Sequence, residues 1–151
     1  MRIQFLGSGD AFGAGGRFNT CFMVDAEDTR FLIDCGATSL VAMNRFGVDP
    51  NTIDKVLLTH LHGDHFGGVP FMLVHAHSAS KRDRPLVIAG PETTEQRIME
   101  SLESFYPGSS RNPWRFDLDF QEYKVGEEWS SGPVSVVPYR AEHHAGEGPA
   151  L

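Results

Sequence analysis

Residues 55–68 read K-V-L-L-T-H-L-H-G-D-H-F-G-G, an apolar run that ends in three histidines and an aspartate and then a pair of glycines. Lys55 to Leu58 form the short, continuous apolar stretch expected of a buried strand. In a chain leaving a strand, side chains two apart point the same way, so His60 and His62 can grip one ion while Leu61 turns back into the core. Gly63 permits a sharp turn, which re-aims Asp64 and His65 toward a second point nearby. Zinc accepts imidazole nitrogen at about 2.0–2.1 Å, and two ions about 3.5–4 Å apart form the usual two-metal hydrolytic site. Four potential ligands in six residues at a strand end point to metal binding rather than to a solvated loop that happens to be rich in histidine. The pattern differs from helical H-E-x-x-H, whose histidines lie one turn apart.

Working outward, Arg2 to Leu6 (R-I-Q-F-L) alternates polar and apolar residues and ends at Gly7, as a half-buried strand does before a turn. The turn, G-S-G-D-A-F-G-A-G-G, carries five glycines. It lacks the lysine of a P-loop, and it reads equally as a flexible rim or as a backbone cradle for an oxyanion. Cys21 to Asp25 and Arg30 to Asp34, separated by A-E-D-T, predict a hairpin of buried strands. Thr38 or Ser39 then caps a short helix that runs through Phe46 to a stop at Gly47. After the histidines, G-G-V-P-F-M-L-V-H-A-H predicts a helix with Pro70 in its first turn, and places His75 and His77 on its surface near the C-terminus. Leu86 to Ala89 is a further buried strand. Pro91 opens the next helix, along which Ile98, Leu102 and Phe105 form one apolar stripe. Strands are expected near Phe116 to Tyr123 and Val134 to Tyr139.

A chain of 151 residues is the size of one domain, and a composition of 40% hydrophobic and 22% charged residues excludes disordered and membrane-embedded classes. No apolar run approaches the roughly 20 residues that span a bilayer. Cys21 and Cys35 are the two cysteines of a chain without an apolar leader after Met1, so reduced thiols and a cytoplasmic location are expected. The net charge of −7 argues against a broad nucleic-acid-binding face. The best basic patch, K-R-D-R at 81–84, reads as a solvated loop before Pro85.

The run L-L-T-H-L-H-G-D-H-F-G-G closely resembles the H-x-H-x-D-H signature of metallo-β-lactamase-fold hydrolases. F-L-G-S-G near the start, F-L-I-D-C-G at 31–36, V-I-A-G-P at 87–91 and a late histidine agree in order, and the resemblance is to the RNase Z-like and phosphodiesterase-type branch. It implies an α/β fold, the αβ/βα sandwich, of which residues 1–151 would supply the N-terminal half as one mixed sheet with flanking helices. It implies two zinc ions in the complete site, with Mn2+ or Fe2+ as alternatives. His60, His62 and a late histidine, His143 or alternatively His144, would bind the first, and Asp64 and His65 the second. Asp64 would also orient the nucleophile, while Asp34 would steady a ligating histidine from behind. The resemblance implies hydrolysis of a phosphodiester or small anionic ester, with a lactone, thioester or lactam as an alternative substrate.

The sequence departs from that branch in two ways. Members of this type draw a metal-bridging aspartate and a final histidine from a second half, and neither is found here, so a truncated domain, a homodimer or a non-catalytic metal-binding fragment is expected. RNase Z enzymes also carry a P-T-K-x-R-N type loop after the first strand. This chain has G-A-G-G-R-F-N at 13–19, with Arg17 and Asn19 out of register, which makes transfer-RNA 3′ processing a secondary expectation.

Overall fold

The computed structural model describes residues 1–142. Its central feature is a six-stranded sheet built from β1 (Arg2–Gly7), β2 (Cys21–Ala26), β3 (Thr29–Ile33), β4 (Lys55–Leu57), β5 (Leu86–Gly90) and β6 (Leu118–Glu122), which lie side by side in sequence order. The expected hairpin is present: β2 pairs antiparallel with β3 through Phe22–Ile33, Val24–Phe31 and Ala26–Thr29. β1 is antiparallel to β2, whereas β3 to β6 are mutually parallel. β2 alone therefore runs backwards, and the carboxyl ends of the other five strands share one edge of the sheet. In sheets of this kind ligands bind outside the carboxyl ends of the strands.

Helices α1 (Ser39–Arg45), α2 (Gly63–Phe66), α3 (Val69–Val74) and α4 (Thr94–Phe105) follow strands, as parallel crossovers require. Alternation along the strands divides two faces. Leu32, Val56 and Ile88 join Met43, Met72, Leu73 and Ile98 from the helices in one buried core. Leu57 and Ala89 face the other way, against Val134. That second face meets a hairpin absent from the sequence reading in its first strand, β7 (Trp129–Ser131) with β8 (Val134–Val136). The hairpin covers only part of the apolar face. A groove of about 530 Å³ remains between Phe31, Ile33, Leu57, Tyr123 and the hairpin, and Ile3 and Phe5 on β1 stay 51% and 66% exposed.

Four local expectations need correction. Pro91 does not open α4, which begins at Thr94; the Pro91 carbonyl instead accepts from Thr94 N and Oγ1 at 3.2 and 2.6 Å. Phe105 is 51% exposed and stacks on Phe71, so only Ile98 and Leu102 of its stripe are buried. His75 and His77 belong to a π-helical turn (His75–Ala79), with each Nδ1 buried and without a hydrogen-bond partner among the described residues. K-R-D-R is not simply solvated, because Arg82 is 2% exposed and donates to the carbonyls of Asn51, Ile53, Arg84 and Pro85. Among the described residues no helix is long and apolar enough to cross a membrane.

Candidate metal centre

Three chain segments leave the carboxyl edge and lock together. After β3, Asp34 turns into the left-handed region at φ 61, which short polar side chains tolerate better than others. Its backbone N–H bonds Leu57 O on β4 at 2.8 Å. After β4 the chain passes through His60 and His62 into α2, where His62 sits at the N-cap and its carbonyl accepts from His65 and Phe66 N–H. Cys35 N–H donates to His65 O at 2.6 Å and Gly68 N–H to Cys35 O at 2.8 Å, zipping the two segments together. Gly36 is obligatory in this contact, since a Cβ there would lie 2.1 Å from Asp64 O. The third segment, the glycine-rich loop after β1, is bolted on by Asn19, whose Oδ1 accepts from Thr38 N–H and whose Nδ2 donates to Asp10 O.

The glycine-rich loop is held by its own hydrogen bonds. Asp10 Oδ1 accepts from Phe12 and Ala14 N–H, and the amides of Gly9, Gly13 and Gly16 bond within the loop. Those donors are committed, so this part of the loop is braced from within.

The structure brings His60, His62 and His65 together. The ring centroids of His60 and His65 are 4.0 Å apart, and those of His60 and His62 4.8 Å. His60 is 7% exposed. Asp34, 2% exposed, places Oδ2 2.7 Å from His65 Nδ1, and Asp64 Oδ2 lies 3.3 Å from His65 Nε2. Burial pulls the pKa of His65 down, but the Asp34 hydrogen bond and the negative charges of Asp34 and Asp64 outweigh it, so the net shift is upward. The Asp34 carboxylate also accepts from Thr59 N–H and Oγ1. Thr59 is a contact that ligand spacing alone does not reveal, although its place immediately before the first histidine is a signal. Cys35 packs against Gly68 as a buried thiol, and burial pushes the neighbouring Cys21 up to about 11.

Each expected metal position draws two ligands from the described residues, His60 with His62 and Asp64 with His65, and among those residues no three His, Cys, Asp or Glu side chains stand where they could hold one ion together. Asp64 Oδ2 faces His65 Nε2 at 3.3 Å, and the late ligand of the first set falls at His143 or His144, which lie outside the described residues. The donors nevertheless fit a divalent cation in kind, with imidazoles and one carboxylate at a strand-end turn and a carboxylate bonded behind one ring, the usual backing of a ligating histidine.

A strand-ordered sheet that delivers H-x-H-x-D-H and a buried aspartate to one carboxyl edge defines a metallo-β-lactamase-fold protein. Human tRNase Z, short form, matches with a TM-score of 0.67 at 29% identity, over 81% of this chain and 45% of that one. A diphosphatase from the PhnP family matches with a TM-score of 0.70 at 18% identity, over 98% and 59%. Within that class, the chain belongs to the family described as Anti-Pycsar protein Apyc1, which matches residues 1–150. The relative of that description from Saccharibacillus brassicae is 41% identical over 153 residues, covering 97% of this chain and 60% of its own. The chain spans about half the length of the curated relatives it matches.

Proposed function

We propose that the protein acts as a metal-dependent hydrolase of phosphodiesters. The observation that carries this reading is the gathering of His60, His62, Asp64 and His65 at the carboxyl edge of the sheet, with Asp34 bonded behind His65. Relatives named as ribonucleases and a neighbour named as a diphosphatase favour a phosphorus centre over a carbonyl one.

His60, His62 and His143, or His144 in its place, would hold one divalent cation, and Asp64 with His65 a second. Zinc is the preferred ion, ahead of Mn2+ or Fe2+. Such cations supply an acidified water and a Lewis acid for the phosphoryl oxygen. The chain's own residues do the rest. Asp34 holds the His65 ring in one orientation, and His60 stands beside it, 7% exposed. Asp64, its side chain 16% exposed, is open enough for Oδ2 to accept a hydrogen bond from an entering water and orient it.

Metal analysis combined with turnover of bis(p-nitrophenyl) phosphate tests the reading. Zinc bound at two per chain with turnover is expected, with His62→Ala losing metal at the first site and His75→Ala retaining it. One loosely held ion and no turnover would sink the assignment.

A further inference from the structure

Thr59 touches both Asp34 and His60. Its Oγ1 lies 3.0 and 2.9 Å from the two carboxylate oxygens of Asp34 and 3.1 Å from His60 Nδ1. A threonine hydroxyl has one proton to give and lone pairs to receive with, whereas a carboxylate only accepts. If the hydroxyl proton pointed at His60, two oxygens would face each other at about 2.9 Å with no proton between them. The arrangement that satisfies these three contacts sends the Thr59 proton to Asp34 and has Thr59 Oγ1 accept from a protonated Nδ1 of His60. In a neutral imidazole the lone pair then resides on Nε2. The same count applies to His65, whose Nδ1 is 2.7 Å from Asp34 Oδ2 and must donate to it.

We infer that Asp34 fixes the Nδ1 proton of two histidines at once, His65 directly and His60 through Thr59, so that His60 keeps its lone pair on Nε2 while His65 presents Nε2 to Asp64 Oδ2, 3.3 Å away. Thr59 is thereby a positioning residue of the site. It is well suited to the part, because its branched Cβ restricts χ1 and its backbone N–H is itself tied to Asp34 Oδ1 at 2.8 Å. A hydrogen-bonded carboxylate behind a histidine raises its basicity as a ligand. The relay extends that effect to a ring the carboxylate does not touch. This deepens the metal-dependent reading, whose ligands it orients, but its decisive measurement needs no metal.

The test is long-range proton–nitrogen correlation NMR on the metal-free full chain, labelled with 15N-histidine, at a pH where the rings are neutral. In the wild type His60 and His65 are both expected as Nδ1–H tautomers. Thr59→Val, which keeps the shape and removes the hydroxyl, is expected to release His60 to a mixture or to Nε2–H while leaving His65 unchanged. Thr59→Ser is expected to restore His60. Zinc affinity, read by chelator competition, should fall about 10–100-fold in Thr59→Val and recover in Thr59→Ser. A wild-type His60 carrying its proton on Nε2, or a His60 that keeps Nδ1–H in Thr59→Val, overturns the relay. If Thr59→Val does not fold, the wild-type tautomer and its persistence in Thr59→Ser decide the matter. Both rings as Nδ1–H in a chain that binds no zinc would uphold the relay and sink the metal reading instead.

Discussion

Single side chains with unusual surroundings hold this molecule together. Arg82 illustrates the point: its guanidinium donates to Asn51 O at 3.1 Å, Ile53 O at 2.8 Å, Arg84 O at 2.7 Å and Pro85 O, and lies 5.6 Å from the centre of the Phe116 ring. It ties the turn before β4 to the segment before β5. Arg82→Met leaves four carbonyls without that donor, and an unsatisfied buried polar group costs about 1–3 kcal/mol. Urea denaturation is expected to show a loss of about 3 kcal/mol or more, with Arg82→Lys recovering only part because an ammonium lacks the planar fork. A loss under about 1 kcal/mol would refute this role. Nothing in K-R-D-R marks its second residue as buried, since charge runs of that kind usually face water. Asp34 is the contrasting case, its part behind a histidine being an expectation from F-L-I-D-C-G that its contact with His65 matches.

Elements follow their periodicity where the core is deep and depart from it at their ends. α4 buries Ile98 and Leu102 completely, as their spacing of four predicts. Its C-terminus is held by Glu103, whose carboxylate accepts from Gly108 N–H at 2.8 Å and from Ser110 Oγ. The Ser110 hydrogen bond and then the Gly108 amide hold its pKa below the ordinary 4.5. A depressed folded-state pKa contributes stability above the unfolded value, and that stability is lost as pH falls through the folded one. Glu103→Gln is therefore expected to lower the urea midpoint at pH 7, with the gap to wild type closing as pH falls below about 4.5. An equal gap at pH 7 and pH 3 would mean that the ionised carboxylate does not matter. The start of α4 shows the opposite limit: a proline marks where a helix is permitted to begin, but hydrogen bonding to the Pro91 carbonyl sets the first turn three residues later.

At the scale of the whole molecule, strand direction determines where chemistry can gather. Because β1 runs with β3 to β6, the glycine-rich loop, Asp34 and the histidines all emerge at one edge. A ligand that binds only the folded chain raises its stability by mass action. Zinc added at about 100 times its dissociation constant should contribute about 2.7 kcal/mol. The expected result is a melting temperature that climbs with zinc in the wild type and climbs less in His60→Ala. Equal climbs in both proteins would place the ion elsewhere.

The order of strands and helices was legible because alternation, apolar runs and the helix stop at Gly47 are local signals, each carried by a few adjacent residues. So was the candidate site's nucleus, since T-H-L-H-G-D-H keeps its donors close in sequence. Tertiary structure alone decided that Asp34 lies 2.7 Å from a histidine ring 31 residues later, that Thr59 stands between that aspartate and His60, and that Arg82 is buried. Those contacts depend on which strands pair and in what register. A one-residue slip of β3 or β4 would turn that strand's side chains to the other face and carry the turn after it, with Asp34 or Thr59, out of register, and no short window of sequence contains that information.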